Sequence, residues 1–203
     1  MDTAAPVAIV LPAAGASARM RGRDKLLEPV DGIALLRRQA LAALATGAHV
    51  LVTLPDPAGA RGAALDGLAL RRIAVPDAAE GMAASFRRAA AALPPGTPAA
   101  MVLLPDLPEI TADDLRALLA ARAAALPATP VLRATAADGT PGHPVIVPAR
   151  LFPRLATLHG DTGARAILAG ETVRAVALPG RRATTDLDTP EAWAAWRRAR
   201  GEA

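Results

Sequence analysis

The chain has no cysteine and no tyrosine, two tryptophans, two phenylalanines, three histidines and a single lysine among 23 basic residues. Without cysteine there is no disulfide, no thiolate nucleophile and no cysteine metal site. His49, His143 and His159 are too scattered for an HExxH-type cluster, so a metal would have to be a hard ion on oxygen ligands. With aromatics at 2%, the core must come from Val, Leu, Ile and Ala, and no aromatic-rich basic stretch points to nucleic acid. No apolar run is long enough to span a membrane. Asp2 stands where a signal peptide carries basic residues, so the chain reads as a cytoplasmic protein. Its 203 residues fit one domain. A net charge of +4 and a pI near 11.0 could suit an anionic substrate. The basic residues are spread rather than blocked, however, which reads as a solvated arginine surface.

What is present is most informative at Lys25. Of the 23 basic residues, all but this one are arginine, which leaves 22. Lysine is a compact point charge on a flexible stem, whereas guanidinium is a planar fork. Lys25 ends the small-residue loop Pro12-Ala13-Ala14-Gly15-Ala16-Ser17-Ala18-Arg19-Met20-Arg21-Gly22-Arg23-Asp24-Lys25. Bare backbone N–H groups and a mobile cation are what phosphate oxygens need. Taken alone, the lysine could equally have survived by chance. The loop fits neither GxGxxG nor the Walker pattern.

Strands are expected at Val7–Leu11, Val50–Leu54, Arg71–Val75, Ala99–Leu104, Pro130–Arg133, Val145–Val147 and Val173–Leu178. Helices are expected at Leu35–Ala45, Met82–Leu93, from the Thr111 cap to about Leu126, Thr162–Leu168 and Pro190–Arg200. The alternation predicts an α/β fold with a mostly parallel sheet and right-handed crossovers. In such sheets ligands bind at the carboxyl ends of strands, where the loops after Leu11 and Leu104 both lie. Asp106, just past the second of these strands, is placed either to hold Mg²⁺ or to serve as a turn residue between Pro105 and Pro108. In Asp186-Leu187-Asp188-Thr189-Pro190-Glu191, two carboxylates share one side of an extended chain. They offer a second ligand, a helix cap, or both.

PAAGASARM and Lys25 together resemble the signature loop of the MobA-like nucleotidyltransferases, closest to the branch that contains molybdenum cofactor cytidylyltransferase. Gly81-Met82-Ala83-Ala84-Ser85, Leu104-Pro105-Asp106-Leu107-Pro108, Gly142-His143-Pro144, Gly160-Asp161-Thr162-Gly163-Ala164-Arg165 and Asp186–Glu191 follow in family order. The resemblance implies a three-layer, Rossmann-like fold with helices on both faces. It implies a nucleotide-binding half of about residues 1–110 and an acceptor half of about 111–203. It assigns Lys25 and Arg19 to the triphosphate, Asp106 and Asp188 to Mg²⁺, and Ala13, Ala14, Gly15, Gly81 and Ser85 to the nucleotide. His143, Asp161 and Arg165 go to the acceptor. It further implies transfer of CMP from CTP to a phosphorylated cofactor such as molybdopterin, and delivery of the product to a molybdoenzyme or its chaperone. GTP, a sugar phosphate or another phosphorylated metabolite, and a non-catalytic pterin carrier, are the other readings. The chain departs from the family pattern at Pro12, at Pro105, at Phe86 and Ala89, and by one extra residue, Arg21, before Gly22.

Overall fold

A computed structural model describes residues 6–160 and 165–201, with the backbone alone at residues 165 and 166. Among the described residues, nine strands and seven α-helices follow in chain order: β1 Ala8–Pro12, β2 Pro29–Val30, β3 Ile33–Ala34, α1 Leu35–Leu44, β4 His49–Leu54, α2 Ala60–Ala63, β5 Arg71–Ala74, α3 Met82–Ala92, β6 Ala99–Val102, α4 Ala112–Ala124, β7 Val131–Thr135, β8 Pro141–Pro148, α5 Phe152–Ala156, α6 Arg165–Leu168, β9 Val173–Ala177 and α7 Pro190–Ala199. Seven strands form one sheet in the order β5-β4-β1-β6-β8-β7-β9. Only β8 runs antiparallel to its neighbours β6 and β7. The expected three-layer, mostly parallel α/β architecture is therefore present.

Period-two alternation builds the layers. Ile9, Leu11, Val50, Val52, Met101, Leu132 and Ile146 pack with Leu36 and Ala40 of α1 and Leu115 and Leu118 of α4. Their neighbours face the other way. Val102, Val145 and Val147 meet Phe86 of α3 and Leu155 of α5, and Ala8, Val10, Leu51 and Ala100 meet Ala89 and Ala92 of α3. Thr111 caps α4 through a reciprocal box with Asp114, as its sequence position predicts.

The chain runs outward from β1 to β4 and β5, then returns so that β6 lies on the other side of β1. That reversal opens a crevice at the carboxyl ends of β1 and β6. Several elements differ from expectation, among them the short helix α5. The β2–β3 hairpin turns at Asp31-Gly32, both at positive φ (50° and 81°), an Asp-Gly turn that the short strands concealed. The one-turn α2 lacks any apolar periodicity. Pro141-Gly142-His143, outside the strand expected at Val145–Val147, lies in β8. Gly142 permits this, because a Cβ there would stand 2.0 Å from the Ala183 carbonyl oxygen.

Candidate active site

The loop after β1 is held by its own polar side chains. Ser17 Oγ donates to Asp24 Oδ1 (3.0 Å) and accepts from the Lys25 N–H (3.2 Å). Asp24 Oδ1 also accepts from the Leu26 N–H (3.0 Å). Ala18–Met20 makes a single 3₁₀ turn, and the extra residue Arg21 leaves it at φ 53°, followed by Gly22 at φ 87°. The insertion is absorbed as an outward bulge. Arg21 is exposed and pairs with Glu191 of α7 (2.6 Å).

Lys25 consequently reaches inward. Its Nζ lies 2.6 Å from Asp106 Oδ2 and 2.5 Å from Asp188 Oδ1. Burial works against its charge, but the two carboxylates outweigh that effect and raise its pKa above the usual lysine value. Arg19 Nη2 meets Asp188 Oδ2 at 2.6 Å, with its side chain 72% exposed. Asp106 follows β6. Its backbone carbonyl accepts from the Leu187 N–H (3.2 Å), which ties the two carboxylate-bearing segments together. Thr189, not Asp188, caps α7 by accepting from the Ala192 N–H, so Asp188 is left to face the site. Asp186 is exposed.

Ala13 and Ala14 are buried, and Ala14 packs on Val75 and Ala84. At Gly15 a Cβ would meet nothing within 4 Å, so the backbone there is open to an incoming group. Gly81, at φ 96°, is the N-cap residue of α3, and Ser85 is buried within that helix. His143 forms a hydrogen bond with the Val102 backbone. Burial first, then the nearby Arg133 charge, pushes its pKa down to about 4, against a smaller opposing pull from Asp106. The ring is therefore neutral near pH 7, and its buried Nδ1 has no partner. Asp161 lies outside the described residues, and Arg165 is described only as the start of α6.

One buried residue escapes a sequence reading. Arg61, in α2, is 8% exposed and donates to the Ala13 carbonyl (2.6 Å), the Gly15 carbonyl (2.8 Å), Ser17 Oγ (3.2 Å) and both oxygens of Asp24 (2.6 and 2.9 Å). It holds the carbonyls of residues 13 and 15 in place. Asp24 is pressed upward by burial, yet the Arg61 contacts win and hold its carboxyl below the usual range. Gly62 seats α2, since a Cβ there would be 1.8 Å from the Pro57 carbonyl oxygen. Beside this network is a cleft of about 450 Å³, lined by Ala14, Gly15, Pro55, Asp56, Arg61 and Ala78 among others.

Asp106 Oδ1 is buried with no hydrogen-bond partner. Among the described residues no group of three or more His, Asp or Glu gathers as a complete metal cage. Two carboxylates with further ligands from water and substrate phosphate is the usual arrangement for Mg²⁺. No helix of the described residues is long and apolar enough to cross a membrane.

The comparisons agree with this architecture. A Mycobacterium tuberculosis protein, Rv0371c, is 32% identical with a TM-score of 0.78, over 97% of this chain and 98% of that one. A structure of that protein in complex with manganese is 28% identical, TM-score 0.75, over 94% and 97%. A CMP:2-keto-3-deoxy-manno-octonic acid synthetase complexed with CTP shares the fold at 17% identity, TM-score 0.74, over 97% and 99%. No curated protein matches the sequence significantly. The MobA-like NTP transferase domain matches residues 8–176. With that match over most of its length, the chain belongs to the MobA-like NTP transferase family and is a nucleotidyltransferase.

Proposed function

We propose that this enzyme moves a CMP unit from CTP to the terminal phosphate of a cofactor, with molybdopterin as the acceptor and pyrophosphate as the second product. The observation that carries the reading is the meeting of Lys25, Arg19, Asp106 and Asp188 beside an open glycine backbone at the crevice between β1 and β6. The nucleoside lies in the cleft beside Ala14 and Gly15, with Gly81 and Ser85 on its α3 side. Residues 1–110 form the nucleotide half, and 111–203 the acceptor half.

The acceptor's phosphate oxygen attacks the α-phosphorus. The new P–O bond forms as the α–β bond breaks, and pyrophosphate departs with the electron pair. A phosphate monoester is already an anion near neutral pH, so no strong base is needed. Charge neutralisation and alignment supply the rate. Lys25 and Arg19 bind the triphosphate oxygens. Asp106 and Asp188 would hold Mg²⁺, which when bound neutralises phosphate charge. His143, neutral near pH 7, borders the acceptor as a polar group rather than a phosphate-binding cation. The family resemblance assigns Asp161 and Arg165 to the acceptor as well.

CTP is favoured by the family resemblance, in which an Ala-Ala-Gly loop such as Ala13-Ala14-Gly15 goes with CTP and a Gly-Gly loop with GTP; here Ala14 packs on Val75 and Ala84. A methyl group is worth roughly 1–3 kcal/mol of such discrimination. The resemblance to molybdenum cofactor cytidylyltransferase supports molybdopterin, with transfer of product to a molybdoenzyme or its chaperone in the cytoplasm. Pyrophosphate release with CTP, GTP, ATP and UTP against molybdopterin tests this. CTP should be fastest by tenfold or more. GTP overtaking CTP would overturn the nucleotide assignment. A sugar phosphate outpacing molybdopterin would overturn the acceptor.

A further inference from the structure

The two carboxylates of the site have four oxygens, and three are already held by cations. Lys25 Nζ takes Asp106 Oδ2 and Asp188 Oδ1, and Arg19 Nη2 takes Asp188 Oδ2. Only Asp106 Oδ1 is without a partner, and it is buried. An ion that bridges both aspartates must therefore dislodge a cation. Mg²⁺ on carboxylate oxygens sits at about 2.0–2.1 Å from them. The ammonium already stands 2.6 and 2.5 Å from one oxygen of each residue. Two cations crowded onto the same oxygens repel strongly in a partly buried site.

We infer that Lys25 is an exchange cation: its ammonium occupies the ground between Asp106 and Asp188, and a metal ion enters as that ammonium leaves for the triphosphate. The inference rests on the metal assignment made above. The lysine's place in an arginine-rich chain gains a reason from it. A single ammonium on a four-carbon stem can swing between two sets of oxygens, whereas a guanidinium fork would lock bidentately onto a carboxylate. Arg19 is the less suitable gate, because it touches Asp188 alone and its side chain is 72% exposed. Metal and nucleotide then bind with positive coupling, each raising the affinity for the other, since each needs the ammonium in the same place. Metal alone would bind weakly.

The test uses Mn²⁺ alone, followed by loss of the free-ion EPR signal, on the full chain without nucleotide. Lys25→Met and Lys25→Gln should each bind Mn²⁺ at least tenfold more tightly than wild type. The gain should vanish in the double variant Lys25→Met with Asp106→Asn. Thermal unfolding of each variant checks that it is folded. Equal or weaker Mn²⁺ binding in both folded single variants would overturn the inference. So would a gain in Arg19→Met with none at Lys25. Failure of wild type to turn over any nucleotide would overturn the functional reading instead, because the Mn²⁺ titration does not depend on it.

Discussion

Asp106→Asn should lower nucleotidyl transfer by about three orders of magnitude, roughly 4 kcal/mol of transition-state stabilisation. The side chain is the same size, but an amide is a poor ligand for a hard divalent ion and carries no charge to balance it. The fold should survive. The Leu187 N–H bond goes to the Asp106 backbone carbonyl, and Lys25 keeps Asp188. The expected pattern is therefore a collapse of kcat with a thermal midpoint within a few degrees of wild type, read from steady-state kinetics and calorimetry. Residual activity within tenfold of wild type would show that the metal is held elsewhere.

Arg61→Met is expected to act in the opposite way, on stability first. The guanidinium is buried and makes contacts with two carbonyls, Ser17 and Asp24. Removing one member of a buried ion pair leaves its partner uncompensated and costs about 3–5 kcal/mol. For a domain of this size that lowers the midpoint by roughly 6–20 °C. Adding Asp24→Asn should recover part of the loss, because the stranded carboxylate is then gone. At temperatures where the variant is folded, the KM for nucleotide should rise more than kcat falls, since the loop rather than the reacting groups has been loosened. A midpoint unchanged from wild type would contradict the role given to this network.

Much of the fold was legible because its elements carry strong local signals. Pro12, Pro55 and Pro94 close apolar runs, Thr111 caps a helix, and Pro190 opens one. The mostly parallel sheet followed from the alternation of strands and helices. Lys25, Asp106 and Asp188 were legible because each stands in an ordered motif at a strand or helix end. Arg61 was not, since nothing in Gly59-Ala60-Arg61-Gly62 sets it apart from 21 other arginines until the fold brings it under the loop. The strand character of Gly142-His143 was hidden by the surrounding Gly and Pro, which here serve the close approach to Ala183. Likewise the sequence does not show how the extra residue Arg21 bears on the reach of Lys25. A positive φ at Arg21 and Gly22 turns the extra residue outward.

The most direct test of the account follows two labels through one reaction. CTP carrying ³²P at the α-phosphorus, and separately at the γ-phosphorus, is incubated with molybdopterin, Mg²⁺ and the enzyme. The α-label should appear in the acceptor product and the γ-label in pyrophosphate, in equal amounts. A γ-label on the acceptor would mean phosphoryl rather than nucleotidyl transfer. A γ-label released only as inorganic phosphate would mean hydrolysis, and either result would contradict the mechanism assigned to Lys25, Arg19, Asp106 and Asp188.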